Sequence, residues 1–323
     1  MELSTAFIVS RAIYAVAKLA VADVLDGHVK SAVELANLLG IDSDALFRIM
    51  RLLTKVGLFD QNEENQFSLT ALGEPLLTGS PQSMRDYIIL YHEIQYPTFT
   101  NLMFRLHEGS SAHFKTFDRS VFELVESNEE FASMFFAGLR SRAKIDITAI
   151  ISAYDFSNAR LTVDVGGGNG GLLSALLSRY PRMSGILFDL EPAIATARAG
   201  HGGPLPRCEL MVGDFFNRVP EGADTYLLKL ILHDWDDRNS VRILKNCREA
   251  MKHDGRLLIM EGLVGPSDTL TMTDVVDLAM LANLSGRERT ESEFATMLES
   301  AAFRLERILP TNGTLFILEA VPK

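Results

Sequence analysis

The spacing of apolar positions divides the chain into a helical first half and a second half in which strands and helices alternate. In the opening stretch, TAFIVSRAIYAVAKLAVADVL, apolar residues recur at the spacing of a helix face. They are Phe7, Ala12, Ala15, Leu19 and Ala22. Because this helix is apolar around much of its girth, it predicts a packing helix that can also form a subunit interface. Charged residues interrupt the run, which is too short for a signal peptide or a membrane span.

Two short helices and a β-hairpin follow, in the order of a winged helix-turn-helix. Ser31, with Glu34 three residues later, predicts a capping box at the start of the first helix, and Gly40 predicts its end. A second helix is predicted over 43–56. The stretch GLFDQNEENQFSLT then predicts two short strands around a polar turn.

After two longer helical patterns, over 84–107 and 119–154, the pattern changes near Leu161. Short β-rich runs now alternate with helical ones, which predicts βαβ units and a mostly parallel sheet. The runs are LTVDV, GILFDL, ELMVGDF, TYLLKLIL and RLLIMEG. The last two runs, FRLERILP and TLFILEAV, are joined by Asn312-Gly313, a hairpin signal that makes the final strand antiparallel.

Length and composition agree with two domains. The 323 residues are 47% hydrophobic and 23% charged, which is ordinary for globular domains with a sizeable core. We predict a helical winged-helix domain over 1–155 and an α/β domain over 156–323. Cys208 and Cys247 are the only cysteines, so no disulfide framework or zinc motif is visible and a reducing cytoplasm is the expected location.

The net charge of −11 argues against nucleic-acid and membrane partners. The winged helix nevertheless raises the alternative of a DNA-binding regulator. Its second helix carries Arg48, Arg51 and Lys55, but residues 30–80 contain four basic residues against seven acids. A wing that contacts phosphates needs cations, whereas this wing is acidic. We interpret the motif as an architecture used for packing.

The glycine-rich stretch VDVGGGNGGLLSALL predicts a ligand-binding turn between a strand and a helix. Glycines permit positive φ angles and a close approach of a ligand to the helix N-terminus. Gly166, Gly168 and Gly171 fit the dinucleotide fingerprint. With Gly170 as the third glycine and Asp164 before them, the same stretch resembles the S-adenosylmethionine loop of class I methyltransferases. The glycines alone leave both ligands open, as well as a turn that merely packs helix against strand.

Two carboxylates shift the balance between these ligands. Both require an acid at the end of the next strand for ribose hydroxyls, and Asp189 supplies it. Asp164 could meet the ammonium of the methionine end of S-adenosylmethionine, whereas it would face pyrophosphate in a dinucleotide. The pair therefore favours S-adenosylmethionine.

Ligands of an open parallel sheet bind outside the carboxyl ends of its strands. Those ends are predicted to carry Gly166, Asp189, Asp214, His233 and Glu261. Asp214-Phe215 suits an adenine, since a carboxylate accepts from the exocyclic amine and a ring packs on the base. Lys229 lies inside an apolar strand, so we expect it to reach the crevice or to pair with a carboxylate.

His233, at the predicted tip of the run TYLLKLIL, is the candidate general base. Histidine has an ordinary pKa of about 6.5 and accepts a proton at neutral pH, while a phenol with a pKa of about 10 is a poor nucleophile until it loses one. A base within hydrogen-bond reach would activate a hydroxyl for attack on a sulfonium methyl group. Glu261 and Glu288 could orient the imidazole and stabilise its charged form.

The acids that follow His233 have a structural explanation too. Asp236 and Asp237 are expected to cap the helix DRNSVRILKNCREAM, while Asp234 is kept as a supporting residue of the site. A metal site is not expected, because the other histidines form no HxH or HxxxH pair.

Together, the motifs HDW, GDFF, VDVGGG, LLIMEG and GRERTESEF resemble the caffeic acid and acetylserotonin type of small-molecule O-methyltransferases over nearly the whole chain. This resemblance implies a Rossmann-like class I methyltransferase domain preceded by a winged-helix dimerisation domain. It implies a metal-free homodimer in which the N-terminal domain helps to close the partner's active site. The chain begins directly at the dimerisation helix, without the leader of many plant members. Leu230 stands where plant enzymes often have tryptophan, so plant substrate preferences are not transferred.

The resemblance also assigns residues to roles. It makes His233 the general base, flanked by Glu261 and Glu288. The residues that it implies for S-adenosylmethionine, with those that the strand ends add, are Asp164, Gly166, Gly168, Asp189, Leu190, Asp214, Phe215 and Lys229. Those that it implies for the acceptor pocket are Phe131, Met134, Phe135, Met280 and Asn283.

The sequence therefore predicts an S-adenosylmethionine-dependent O-methyltransferase that acts on a hydroxyl of an aromatic or polycyclic small molecule. Three alternatives stay open. The first is a relative that binds the same cofactor but catalyses decarboxylation or hydroxylation, the second is a nicotinamide-dependent dehydrogenase, and the third is the DNA-binding regulator. The acceptor, its methylated position and the pathway are not encoded in any motif.

Overall fold

The computed structural model describes residues 2–200, 205–266 and 268–323. The chain forms two compact units, each built from two segments. Unit 1 comprises the chain up to Pro97 together with Glu129–Arg142, and unit 2 comprises Thr98–Asn128 together with Ala143–Lys323. The sequence predicted one boundary near residue 155, with one continuous segment in each domain. That boundary stays a prediction.

The N-terminal winged-helix pattern forms as expected. Ser31 accepts a hydrogen bond from the backbone of Glu34, whose side chain accepts in return from Ser31, and Gly40 ends the helix in the left-handed region. The small sheet is antiparallel, with β3 between β1 and β2. The elements are α1 (Glu2–Lys18), α2 (Val21–Leu25), β1 (Lys30–Ser31), α3 (Ala32–Leu39), α4 (Ser43–Lys55), β2 (Phe59–Gln61) and β3 (Gln66–Leu69).

The two long helical patterns are interrupted. Over 84–107, α-helix gives way to a π-helical turn at Tyr91–Gln95, which ends just before Pro97. Proline has no N–H, so regular helical bonding cannot run through it. Over 119–154, the helix restarts after Asn128. The elements are α5 (Arg85–Leu90), α6 (Tyr96–Thr100), α7 (Leu102–Glu108), α8 (Ala112–Phe117), α9 (Val121–Ser127) and α10 (Glu129–Ala153).

Unit 2 contains a seven-stranded sheet with helices between its strands. Its strand order is β6-β5-β4-β7-β8-β10-β9, and β10 alone runs against its neighbours β8 and β9. The predicted parallel sheet with an antiparallel last strand is therefore confirmed. The elements are β4 (Leu161–Val165), α11 (Gly171–Arg179), β5 (Ser184–Asp189), α12 (Glu191–Gly200), β6 (Cys208–Val212), β7 (Thr225–Lys229), α13 (Asp237–Ala250), β8 (Arg256–Glu261), α14 (Met272–Asn283), α15 (Glu291–Ser300), β9 (Phe303–Pro310) and β10 (Phe316–Pro322).

The central strands of this sheet are buried on both faces. Along β7, Tyr226 and Leu228 point into one apolar cluster and Leu227 into the other. Parallel strands covered by helices on both sides are continuously apolar for this reason. Polar side chains at the carboxyl ends of these strands are thus set against a rigid apolar support. Among the described residues, no helix is both long and apolar enough to cross a membrane.

Candidate active site

The candidate base lies on a turn, four residues beyond the strand that was predicted to carry it. Strand β7 ends at Lys229, and Leu230 adopts a positive φ of 55°. A short 3-10 helix over Leu232–Asp234 then carries His233. The prediction that TYLLKLIL is one strand with His233 at its tip was wrong, because the apolar residues Leu230 to Leu232 belong to a turn. We call residues 230–235 the His233 turn.

Glu261 holds this turn through its backbone. It is the last residue of β8 and is fully buried. Its Oε1 accepts hydrogen bonds from the N–H of Ile231 at 3.0 Å and of Leu232 at 2.8 Å. Buried amides need an acceptor, and the turn has left the β ladder that would supply one. Glu261 therefore replaces the missing strand partner.

The imidazole of His233 contacts three carboxylates. Nδ1 lies 2.7 Å from Oε1 of Glu288 and 3.8 Å from Oε2 of Glu261. Nε2 lies 3.5 Å from Oδ1 of Asp234. Because an ionised carboxylate can only accept a hydrogen bond, Nδ1 carries a proton and donates a hydrogen bond to Glu288. The ring is thereby oriented with Nε2 as the nitrogen that can exchange a proton with a ligand.

Burial and charge act in opposite directions on these groups. Burial lowers the pKa of His233, but the carboxylates of Glu261, Asp234 and Glu288 raise it to about 10. Burial raises the pKa of Glu261 to about 7 and that of Asp234 to about 6, and in both cases the charge of His233 opposes the rise. The site thus favours the imidazolium form of His233, as the sequence predicted for a flanked base.

Glu288 reaches the ring because the chain around it is tightly packed. Its N–H donates to Oδ1 of Asp277 at 2.8 Å. A Cβ on Gly262 would lie 2.9 Å from Oε2 of Glu288, so a side chain there would displace this carboxylate from its present position. Among the described residues, Oε2 of Glu288 and Oε2 of Glu261 have no hydrogen-bond partner.

His233, Glu261 and Glu288 offer ligand atoms within 4.8 Å of one another, a set that could hold a metal ion. The metal-free site stays a prediction.

The glycine turn lies beside the His233 turn. Gly166 follows β4 with a φ of 67°, and a Cβ on it would lie 2.5 Å from the side chain of Ile231. Gly168 has a φ of 60°, and nothing lies within 4 Å of the Cβ position there. Its N–H donates to Oδ2 of Asp189 at 2.7 Å. A positive-φ glycine with open space beside an acid at a strand end suits a ligand that carries hydroxyl groups.

Asp164 lies beneath this turn. It is buried within β4, and burial raises its pKa to about 7, while the charge of Lys229 opposes that rise. Its Oδ2 has no hydrogen-bond partner among the residues that the structure describes. A Cβ on Gly167 would lie 2.6 Å from this carboxylate, so the turn passes directly over it. An unpartnered buried carboxylate oxygen fits a cationic ligand, and the expected match with S-adenosylmethionine is chemically consistent.

Asp214 and Phe215 stand at the end of the next strand. The carboxylate of Asp214 accepts from the N–H of Phe216 at 2.8 Å and from the side chain of Asn217 at 3.0 Å, which stabilises its own turn. The ring of Phe215 lies 3.4 Å from the Cβ position of Gly166 and packs edge-on against Trp235. Phe215 thus lines the glycine turn, and the adenine contact of Asp214 stays a prediction.

The predicted acceptor residues belong to two elements. Met280 and the buried Asn283 lie on α14 in unit 2. Phe131, Met134 and Phe135 lie on the part of α10 that belongs to unit 1. Their joint role stays a prediction. Asp236 caps α13 by accepting from the N–H of Asn239, as expected.

Two residues of the site were missed. Arg289 is fully buried and donates to the backbone of the His233 turn, and Gly286 packs against the carbonyl of His233. Both occur in the quoted motif GRERTESEF, but a charged residue in a polar stretch gives no sign of burial. The glycine two residues before Glu288 was the available signal.

Comparison with known families identifies the family of the chain. Residues 99–304 match the model of the O-methyltransferase domain, and residues 1–79 match that of the O-methyltransferase dimerisation domain. The chain belongs to the O-methyltransferase family. The predicted enzyme class, the fold class with its N-terminal dimerisation domain, and S-adenosylmethionine as cofactor are confirmed at the level of this family.

Relatives extend over the whole chain. Phenazine O-methyltransferase PhzM of Lysobacter antibioticus is 37% identical over 325 residues, covering 100% of this chain and 95% of that protein. The crystal structure of LaPhzM gives a TM-score of 0.93 at 37% identity and covers 100% of this chain and 98% of that one. An O-methyltransferase from neocarzinostatin biosynthesis, NcsB1, was solved with S-adenosylmethionine and 2-hydroxy-5-methyl naphthoic acid. It gives a TM-score of 0.82 at 30% identity and covers 97% of this chain and 96% of that one.

Proposed function

We propose that this O-methyltransferase methylates a hydroxyl of an aromatic or polycyclic small molecule, with His233 as the general base. The observation that carries the proposal is the 2.7 Å contact between Nδ1 of His233 and Oε1 of Glu288. This contact fixes the tautomer and leaves Nε2 to accept a proton from the acceptor. S-adenosylmethionine supplies the electrophilic methyl group.

The pKa of His233 is close to that of the hydroxyl group that it would deprotonate. The surrounding carboxylates raise the pKa of His233 to about 10, which is about the pKa of a phenol. Proton transfer from a bound phenol to Nε2 is therefore close to thermoneutral, so forming the phenolate in the site costs little free energy. Because His233 of the free enzyme is protonated at neutral pH, activity should rise with pH.

Cofactor binding is proposed for the residues around the glycine turn. Asp189 has oxygens that already accept from Gly168 and Leu190, and it retains capacity for ribose hydroxyls. Asp164 supplies a negative charge for the ammonium of the methionine end. The full proposed set is Asp164, Gly166, Gly168, Asp189, Leu190, Asp214, Phe215 and Lys229.

The acceptor class is inferred from the relatives. PhzM is named for a phenazine, and NcsB1 was solved with a substituted naphthoic acid. Both molecules are fused aromatic systems, so we propose an acceptor of this kind for the present chain. The proposed acceptor contacts are Phe131, Met134, Phe135, Met280 and Asn283, with Asp234 as a supporting residue beside Nε2.

A homodimer is proposed as the working form. The match of residues 1–79 to a dimerisation domain supports it. Helix α1 also exposes large apolar side chains, with Leu3 94%, Phe7 52% and Ile8 50% exposed. A second copy would remove them from water. Sedimentation equilibrium should give twice the chain mass of 35.7 kDa. Cytoplasmic location and the absence of a nucleic-acid partner remain predictions.

Replacement of His233 by alanine tests the mechanism. His233→Ala should lower kcat on a phenolic acceptor by about 10²–10⁴-fold, because the base acts in chemistry. The dissociation constant of S-adenosylhomocysteine, measured by calorimetry, should stay nearly unchanged. His253→Ala, at an exposed histidine of unit 2, is the control and should keep wild-type kcat.

Two results would contradict the proposal. The first is wild-type kcat in His233→Ala with an acceptor whose hydroxyl is protonated at the working pH. The second is a product that has lost carbon dioxide or gained oxygen in mass spectrometry, instead of gaining a methyl group from labelled donor.

A further inference from the structure

The side chain of Arg289 donates hydrogen bonds to the backbone of the His233 turn. Arg289 is 1% exposed, although arginine is rarely buried without partners. Its Nη1 donates to the carbonyl of Leu232 at 2.8 Å, and its Nη2 donates to the carbonyl of Trp235 at 2.7 Å. These two carbonyls stand on either side of His233 in the chain. One guanidinium therefore fixes both ends of the segment that carries the imidazole.

Arg289 is itself anchored at two places, helix α13 and the segment after β8. Nε donates to Oδ1 of Asp237 at 2.9 Å, in the first turn of α13. Nη2 also lies 3.3 Å from Oγ of Ser240, one helical turn further along α13. On the main chain, Arg289 forms a bridge with Leu263, and its carbonyl accepts from the N–H of Val264, in the segment after β8. The guanidinium thus has a fixed position from which to hold the turn.

We propose that Arg289 is a positioning residue for His233, acting through the Leu232 and Trp235 carbonyls of the His233 turn. The proposal rests on the proposed function, in which His233 is the base. Glu288, the preceding residue, orients the imidazole ring, while Arg289 orients the backbone that bears it. Glu288 and Arg289 thereby fix the orientation of the imidazole ring and the position of the backbone that bears it. If the backbone shifts, the ring leaves Glu288 and Nε2 leaves the reacting hydroxyl.

This role requires arginine. A guanidinium is planar and presents five N–H groups in fixed directions, so it can serve two carbonyls, a carboxylate and a hydroxyl at once. A lysine has a single nitrogen at the end of a flexible chain. Arg289→Lys keeps the positive charge beside Asp237 but cannot satisfy both carbonyls in their present positions. The turn would then be free to shift, with a buried carbonyl left without a donor.

Arg289→Lys, assayed as the full chain, is the first test. The expected result is a kcat about 10- to 100-fold below wild type, since a displacement of about 1 Å has effects of this size. KM for S-adenosylmethionine and the dissociation constant of S-adenosylhomocysteine should stay within about threefold of wild type, because the turn contributes to chemistry rather than to docking.

Arg207→Lys is the matched control. Arg207 also uses its guanidinium to hold backbone carbonyls of unit 2, namely those of Leu177, Tyr180, Pro181 and Met183. These carbonyls lie away from the His233 turn in the sheet order. Arg207→Lys removes a comparable clamp and should keep kcat within about threefold of wild type. An equal loss of kcat in both variants would show that general destabilisation is the cause.

A spectroscopic measurement separates positioning from stability. In the wild type, the His233 ring should remain protonated well above neutral pH in nitrogen-15 NMR, because three carboxylates surround it. In Arg289→Lys the ring moves away from Glu288, so its titration should shift to lower pH. Arg207→Lys should show the wild-type titration. An unchanged His233 titration together with wild-type kcat in Arg289→Lys would overturn the proposal.

A second variant covers the case in which Arg289→Lys does not fold. Asp237→Asn removes the carboxylate that anchors Nε, and Asp237 is 61% exposed, so folding should survive. We expect a kcat about threefold lower and a His233 titration shifted in the same direction, though less. Wild-type values for both would overturn the proposal. An active His233→Ala would instead defeat the proposed function, so the two failures are distinguishable.

Discussion

At the residue scale, the site is a balance between one imidazole and three carboxylates. His233 can be charged in a buried position because Glu288, Glu261 and Asp234 surround it. The three acids differ in task. Glu288 bonds the ring, Glu261 bonds the backbone of the turn, and Asp234 lies beside Nε2, the nitrogen that we propose faces the acceptor. Together the three carboxylates raise the pKa of His233.

Glu288→Gln should move the pH dependence of kcat/KM to lower pH. His233 accepts a proton only when neutral, so wild-type kcat/KM should rise with pH through the neutral range toward the His233 pKa of about 10. Glutamine still accepts from Nδ1 but carries no charge, and the pKa of His233 then falls. The rise should end about 1–2 pH units lower, at a maximum reduced by about tenfold because the base is weaker.

Initial rates from about pH 6 to about pH 10 with a phenolic acceptor check this expectation. Glu291→Gln is the control, since Glu291 is an exposed acid three residues along the chain, and its profile should match the wild type. A Glu288→Gln profile that coincides with the wild type, or that moves to higher pH, would show that Glu288 does not set the basicity of His233.

Which residues lie together could be predicted from the sequence better than the backbone geometry that brings them together. His233 and Glu261 could be found because polar residues interrupt or end apolar runs, where burial without a purpose is costly. Arg289 could not be found this way, because its partners are backbone carbonyls of a turn. Backbone acceptors leave no mark in the amino-acid pattern.

At the element scale, the decisive feature is the turn that leaves β7. The strand stops at Lys229, and Leu230 takes a left-handed conformation that costs a residue other than glycine on the order of 1 kcal/mol. The hydrogen bonds from Ile231 and Leu232 to Glu261 offset that cost. Periodicity predicted a longer strand because the turn is as apolar as the strand itself.

Gly286→Ala should disturb this turn and abolish most of the activity. A Cβ at residue 286 would lie 1.9 Å from the carbonyl oxygen of His233 and 2.6 Å from the N of Trp235. These are backbone atoms that cannot rotate away, so the His233 turn has to move. We expect kcat to fall by about 100-fold or more, with a smaller change in the affinity for S-adenosylhomocysteine.

Gly265→Ala is the matched control for this variant. In the described part of the chain, no atom lies within 4 Å of the Cβ position of Gly265. The Gly265→Ala enzyme should therefore retain the wild-type kcat. Steady-state kinetics and calorimetry of both variants provide the test. Wild-type turnover in Gly286→Ala would mean that the turn can shift without displacing His233 from its working position.

At the scale of the whole molecule, the succession of strands and helices along unit 2 could be predicted because each βαβ unit follows from local patterns. The final hairpin was marked by Asn312-Gly313, and β10 pairs with β9 in antiparallel fashion, as that signal required. The division into units was not predicted in this form, since residues 98–128 join unit 2 before the sheet begins. Such long-range packing has no local signature.

The buried acids of unit 2 oppose folding when they ionise. Burial raises the pKa of Asp164 from an ordinary value of 3.8 to about 7. Between these values the folded chain holds a proton that the unfolded chain has lost, so stability falls as pH rises through this window. Glu261 and Asp234 act in the same direction. Buried carboxyl groups of this kind make the chain less stable at alkaline pH.

Asp164→Asn should therefore stabilise the cofactor-free enzyme at alkaline pH. Near pH 5 the wild-type carboxyl is protonated and resembles the amide, so the two proteins should have similar melting temperatures. Near pH 8.5 the variant should melt about 5 °C higher, because no buried charge has to form. Asp254→Asn, at an exposed acid, should follow the wild type at both pH values. Differential scanning calorimetry measures all three proteins. A lower melting temperature of Asp164→Asn at pH 8.5 would mean that attraction between ionised Asp164 and Lys229 exceeds the cost of burial.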